Sequence, residues 1–348
     1  MSRSRRFEIA LAACWVALAG GSALGQLYSN ASGVPGTPAL AGLSTSSAGL
    51  AAPFLGAWCE PASIFGSGAN GLLGVSAHPS VEGNHRVADD FMVSSPTGWI
   101  IDGVQLFAYV PDWVGAGSPF ASANLRVWNG PPGEPGSLVI WDGGATNRLT
   151  ASNPLNLWRI VEQSTNPVAA GPDQRRRIWK LELTINRLIL PAGEYWLDWQ
   201  IAPSTPAVAV FCPPATIQGV RTGAAFNARQ FGLNNGVAAW TAIIDTGKPL
   251  GVADFPQDMP FVLLGSVVPP PCLGDFDGDL FLTQEDLSGF ITAFLSEPPV
   301  PGPGGFAKPC PGEPAPYNAG FQIDINRDCA ADQEDLSLFI TAFFDGCL

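Results

Sequence analysis

Two stretches of this chain, "DFDGDLFLTQEDLSGFITAFL" from Asp275 and "DINRDCAADQEDLSLFITAFF" from Asp324, repeat one another at an offset of forty-nine residues. Each sets a dense run of carboxylates directly before an apolar helical pattern. Leu287, Phe290, Ile291, Phe294 and Leu295 recur at i, i+3, i+4, i+7 and i+8, and Leu336, Phe339, Ile340, Phe343 and Phe344 repeat the stripe. Neither short helix can bury its stripe alone, so the two stripes should face each other across a small core. Bringing them together also brings the carboxylates together. A divalent cation relieves that repulsion, and folding of the segment is then coupled to the metal.

The spacing supports this. An EF-hand-type loop draws oxygen ligands from positions 1, 3, 5, 7, 9 and 12, with position 7 giving its backbone carbonyl. Counted from Asp275 these are Asp275, Asp277, Asp279, Phe281, Thr283 and Asp286; counted from Asp324 they are Asp324, Asn326, Asp328, Ala330, Asp332 and Asp335. Ca²⁺ takes about six to eight hard oxygens in a flexible shell, whereas Mg²⁺ wants a smaller octahedron, so two Ca²⁺ sites are expected. Asp-rich turns that merely cap helices are the competing account. Two copies in register, stripe included, argue against it.

Position 6 of such a loop usually needs glycine, but here it is Leu280 or Cys329. A left-handed backbone at those residues costs roughly 1–2 kcal/mol each.

The segment 272–348 resembles a type I dockerin domain, in the variant that ends in Gly-Cys, here "DGC" at 345–347. Asp at position 12 agrees with that family. Leu280, Cys329 and the long insert "SEPPVPGPGGFAKPCPGEPAPYNAG" depart from it. The resemblance implies a duplicated half-EF-hand that binds calcium and docks onto a cohesin-like module or cell-surface receptor. Family positions 10 and 11, which help recognise the cohesin, fall on Gln284 and Glu285 and on Gln333 and Glu334; helix N-terminal preference for Gln and Glu would also place them there.

The remaining chain reads differently. Forty glycines and thirty-three prolines punctuate short β-rich runs. From about 81 to 267 these include "RVADDFMV", "WIIDGVQLFAYV", "ANLRVWNG", "RIWKLELTI", "EYWLDWQI" and "FVLLGSVV", the pattern of an antiparallel β-sandwich or jelly roll. "NGPPGEPG" at 129–136 cannot lie inside a sheet and should be an exposed loop. Residues 26–80, rich in Ala, Gly and Ser, read as a loose lead-in contributing one or two strands. "VVPPP" makes 268–271 an extended linker. Composition changes there: all eleven tryptophans lie at or before Trp240. The fold class is therefore mainly β, followed by a small all-α calcium-binding module. The run from 86 to 265 also resembles a β-rich domain of exported bacterial proteins, through "VADDFMV", "LRVWNGPPGEPGS", "LPAGEYWLDWQ" and "NARQF"; that resemblance implies fold and location but no activity.

Residues 1–25 have the form of an export signal: Arg3, Arg5 and Arg6, then "IALAACWVALAG", then small residues at the expected cut after Gly25. With 17 basic against 30 acidic residues, the net charge is −13. Such a chain should not bind nucleic acid or anionic membrane through general electrostatics, and no segment reads as transmembrane. It suits cations or neutral polymers.

Removing the signal leaves six cysteines, an even number that favours disulfides in an exported chain. Cys59–Cys212 is the expected staple of the larger domain. Cys272, Cys310, Cys329 and Cys347 allow three pairings. The two-fold arrangement implied by the dockerin resemblance favours Cys272–Cys347 and Cys310–Cys329.

Catalysis has little to draw on. The only histidines are His78 and His85, there is no Gly-x-Ser-x-Gly elbow, and the carboxylates open to a glycoside hydrolase are Glu182, Glu194 and Asp198. In "GEYWLDWQ", alternation puts Glu194, Trp196 and Asp198 on one strand face, where an exposed Trp could stack on a sugar ring. The expectation is a secreted, non-catalytic β-sandwich, with glycan as its ligand, attached through a calcium-dependent module. A dockerin-borne polysaccharide hydrolase and a structural envelope protein are the alternatives.

Overall fold

The computed structural model describes residues 24–30, 40, 42–46, 49–59, 72–79, 83–144, 146–160, 176–206, 208–216, 226–234, 236–245, 254–269, 274–278, 282–295, 325 and 333–345. The protein is mainly β. One six-stranded sheet runs in the order β1 (Gly25–Ser29), β16 (Phe261–Val267), β5 (Trp99–Ala108), β9 (Arg177–Leu190), β8 (Leu149–Arg159), β2 (Ala57–Cys59). The other runs β13 (Val237–Ala242), β12 (Arg229–Asn234), β4 (Arg86–Val93), β10 (Gly193–Pro203), β6 (Phe120–Trp128), β7 (Val139–Asp142). Two short pairs complete the strands, β3 (Val75–Ser76) with β11 (Phe211–Cys212) and β14 (Ile244–Asp245) with β15 (Phe255–Pro256). Within the two large sheets every pairing is antiparallel except β2 on β8.

Alternation builds the core. Val104 and Leu106 of β5, Leu181 of β9 and Leu263 of β16 pack with Phe91 of β4, Leu125 of β6 and Leu197 and Trp199 of β10 in one buried cluster. The inner faces of the two sheets therefore close on each other, as sandwiches do. Continuity of β16 along β5 depends on Gly265, where the register shifts and a Cβ would lie 1.9 Å from the carbonyl oxygen of Ile100.

The N-terminal segment contributes strands to the first sheet. β1 pairs with β16 and β2 with β8, so Gly25–Ser29 and Ala57–Cys59 occupy the two edges of the first sheet. Trp58 and Cys59 are buried. Residues 129–136 form the turn-rich loop expected of them, and they are mostly exposed.

The tail holds helices α1 (Gln284–Phe294) and α2 (Gln333–Asp345). Phe290 and Phe339, equivalent positions of the repeat, stack with centroids 3.9 Å apart and planes 1° from parallel. Phe276 meets both rings edge-on. The two apolar stripes meet through Phe290 and Phe339, while Leu295 and Phe344 at their far ends stay exposed. Among the described residues no helix is long and apolar enough to cross a membrane.

Candidate functional site

The first carboxylate loop is built around the start of α1. Thr283 caps the helix: its hydroxyl accepts from the Glu285 amide at 3.2 Å, while Asp286 Oδ2 accepts from the Thr283 amide at 2.7 Å, a reciprocal box. Asp286 Oδ1 reaches back to the amides of Phe276 (2.7 Å) and Asp277 (3.2 Å), and Asp275 Oδ1 accepts from the Gly278 amide at 2.9 Å. Gly278 takes the left-handed turn with φ 75°. The left-handed residue thus stands at loop position 4; position 6, Leu280, lies outside the described residues.

These bonds curl the chain so that one ligand atom each from Asp275, Asp277 and Asp286 lie within 4.8 Å of one another, and no other such group occurs among the described residues. A set of carboxylate oxygens suits a hard cation of the Ca²⁺ or Mg²⁺ kind. Asp286 already holds four contacts, including Thr283 Oγ1 at 3.3 Å, so ligation would displace one of the longer ones. The capping role and the ligand role fall on the same carboxylate.

In the second copy, Asp335 Oδ1 accepts from the Ile325 amide at 2.7 Å, the counterpart of Asp286 with Phe276. Asp279 and Phe281, and Asp324, Asn326, Asp328, Ala330 and Asp332, lie outside the described residues. So do Cys272, Cys310, Cys329 and Cys347 and residues 1–23 of the proposed export segment, whose last residue, Gly25, opens β1. Gln284 and Glu285 of α1 and Gln333 and Glu334 of α2 are all exposed residues of the first helical turn.

The strand face expected to carry ligand is corrected. Trp196 and Asp198 are 1% and 0% exposed, and only Glu194 is open. Arg229 covers Trp196, its guanidinium carbon 5.9 Å from the ring, and is itself held by Pro132 O at 3.0 Å and Glu134 Oε1 at 2.6 Å. Trp196 therefore cannot stack on a sugar. Asp198 accepts from Arg86 Nε and, at 3.1 Å, from Trp128 Nε1. Burial pushes the Asp198 carboxyl above its ordinary value and the Arg86 guanidinium below its own, so desolvation outweighs attraction at both ends of the pair. Leu181 and Leu183 of β9 point into the core, which turns Glu182 to the outer side of the first sheet. The three carboxylates open to a hydrolase do not share a face.

The Cys59–Cys212 staple is also corrected: both are free, buried thiols. Cys59 packs with Leu40, Phe107, Ile178 and Val262, its sulfur 3.0 Å from Thr216 Oγ1. Cys212 belongs to the main core and accepts from Trp199 Nε1 at 3.4 Å. Burial pushes the Cys59 thiol up and the Cys212 thiol up to about 12, so neither forms thiolate readily.

No signal in the sequence pointed to the neighbours of Asp89 in "RVADDFMV", which come from distant parts of the chain. Asp89 is fully buried and accepts from Asn30 Nδ2 and from the amides of Met259 (2.6 Å) and Asp90 (2.9 Å). Asp258 stands nearby, accepting from the Asn227 amide at 2.9 Å. Burial, then the neighbouring Asp258 charge, raises the Asp89 carboxyl far above its usual range; burial raises Asp258 to about 7.

Comparison with known proteins returned no matching family model, no similar curated protein and no similar solved structure.

Proposed function

We infer that this is an exported, non-catalytic β-sandwich protein whose C-terminal helical module binds Ca²⁺ and attaches the sandwich to a surface or complex. The observation that carries the reading is the convergence of Asp275, Asp277 and Asp286 in a loop already closed by its own backbone bonds. The matching contact of Asp335 supports a second site of the same kind. Two cations would neutralise the loops and let Phe290 and Phe339 stay stacked. The docking partner, a cohesin-like module or a surface receptor, rests on the dockerin resemblance of the tail. The sandwich supplies the surface that is presented, and extracellular polysaccharide is its proposed ligand.

Titration calorimetry of the full chain should give two Ca²⁺ per molecule, falling to about one in Asp275→Asn. Differential scanning calorimetry should show a transition that moves down in EDTA while the sandwich transition stays put. An identical thermogram with and without chelator would overturn the calcium reading.

A further inference from the structure

The outer face of the second sheet carries a buried polar network. Arg86 and Asp198 form a buried ion pair; such a pair seldom improves on apolar packing. Arg86 Nη1 also donates to Asn124 Oδ1 at 2.8 Å, and Trp128 Nε1 donates to Asp198. Gln200 Nε2 donates to Asn84 Oδ1 at 2.8 Å and to the His85 carbonyl at 3.0 Å. Three buried side chains thus fix the amides of Asn84 and Asn124 and the ring of Trp128. Asn84 is held at φ 41°, a conformation that costs a residue other than glycine energy.

What these groups hold in place is open to solvent. Asn124 and Trp128 are half-buried, the Arg126 side chain is 33% exposed, and Asn84 is exposed. Asn124, Arg126 and Trp128 alternate along β6 on one face and span roughly 13 Å at strand rise. Trp240 stands against Trp128, T-shaped at 6.1 Å. The result is a locked row of amide, guanidinium and indole groups. Preorganised polar groups beside aromatic rings are what a weakly hydrophobic, hydroxyl-rich ligand needs.

Charge selects among such ligands. Each arginine of this face is paired: Arg86 with Asp198, Arg126 with Asp142, Arg229 with Glu134. N–H donors are on offer without net positive charge, and among the described residues the buried Arg86 Nη2 has no acceptor.

We propose that the row Asn84, Asn124, Arg126 and Trp128 binds a neutral, extended oligosaccharide. The proposal deepens the polysaccharide part of the function inferred above and is independent of its calcium part. The test uses the full chain, with neutral, uronic-acid and sulfated oligosaccharides titrated by calorimetry and tryptophan fluorescence, in Ca²⁺ and in EDTA. A neutral oligosaccharide should bind in both buffers. Arg126→Ala should weaken it about tenfold with little change in melting temperature, and Asn124→Ala should weaken it about as much while lowering the melting temperature, because it also removes the acceptor of Arg86 Nη1. Glu194→Ala, outside the row, should leave it unchanged. Absence of neutral-sugar binding, salt-sensitive binding of only the charged sugars, or unaltered affinity in both row variants would overturn the proposal. Loss of binding in EDTA would overturn its independence from calcium.

Discussion

Asp258 and Asp89 make a charge problem that the fold solves with a proton. An unfolded chain releases the Asp258 proton near the ordinary carboxylate value of 3.8, whereas the folded chain keeps it to about 7. Between those values the folded state binds more protons, so stability falls as pH rises across that window, and the raised Asp89 carboxyl adds to the fall. The expected loss is a few kcal/mol between pH 4 and pH 8, read as a falling urea midpoint. Asp258→Asn should flatten that slope; an unchanged slope would show that the pair does not set it. None of this could be read from the sequence, because Asp89 meets the Met259 amide across 170 residues. Cysteine parity misled for a related reason: it counts thiols without showing that Cys59 and Cys212 have separate partners, Thr216 and Trp199.

Strands were legible where alternation is strong. β4, β5, β9 and β10 fall on the runs that period-two patterning picks out, and the helix stripes of α1 and α2 meet at Phe290 and Phe339. Burial of the outer face of β10 was not legible. Alternation separates two faces of a strand but cannot say that Arg229 and the loop around Glu134 will fold over one of them. The bulge in β16 shows how local such constraints are. Gly265→Ala would force a Cβ against the Ile100 carbonyl, costing about 1–3 kcal/mol in backbone strain alone. A drop in melting temperature of the sandwich transition, with Ca²⁺ stoichiometry intact, is the expected signature. If Gly265→Ala melts like the parent chain, the bulge is pliable.

On the scale of the whole molecule, the two parts rest on different physics. The sandwich is held by an apolar core between two sheets, while among its described residues the tail buries Phe276, Phe290 and Phe339 beside a surplus of carboxylates. Salt, pH and chelators should therefore act on them separately. The first sheet also depends on distant chain: β1 lies beside β16, and β2 runs parallel to β8 at the opposite margin. Deleting residues 24–59 would bare the hydrogen-bonding rims of β16 and β8, and light scattering should then report self-association. A fully monomeric deletion would show those rims to be harmless. The earliest residues of the sheet thus work as selvedges. They hem a fabric woven mostly from later sequence, and until β16 is in place the first hem has nothing to be stitched to.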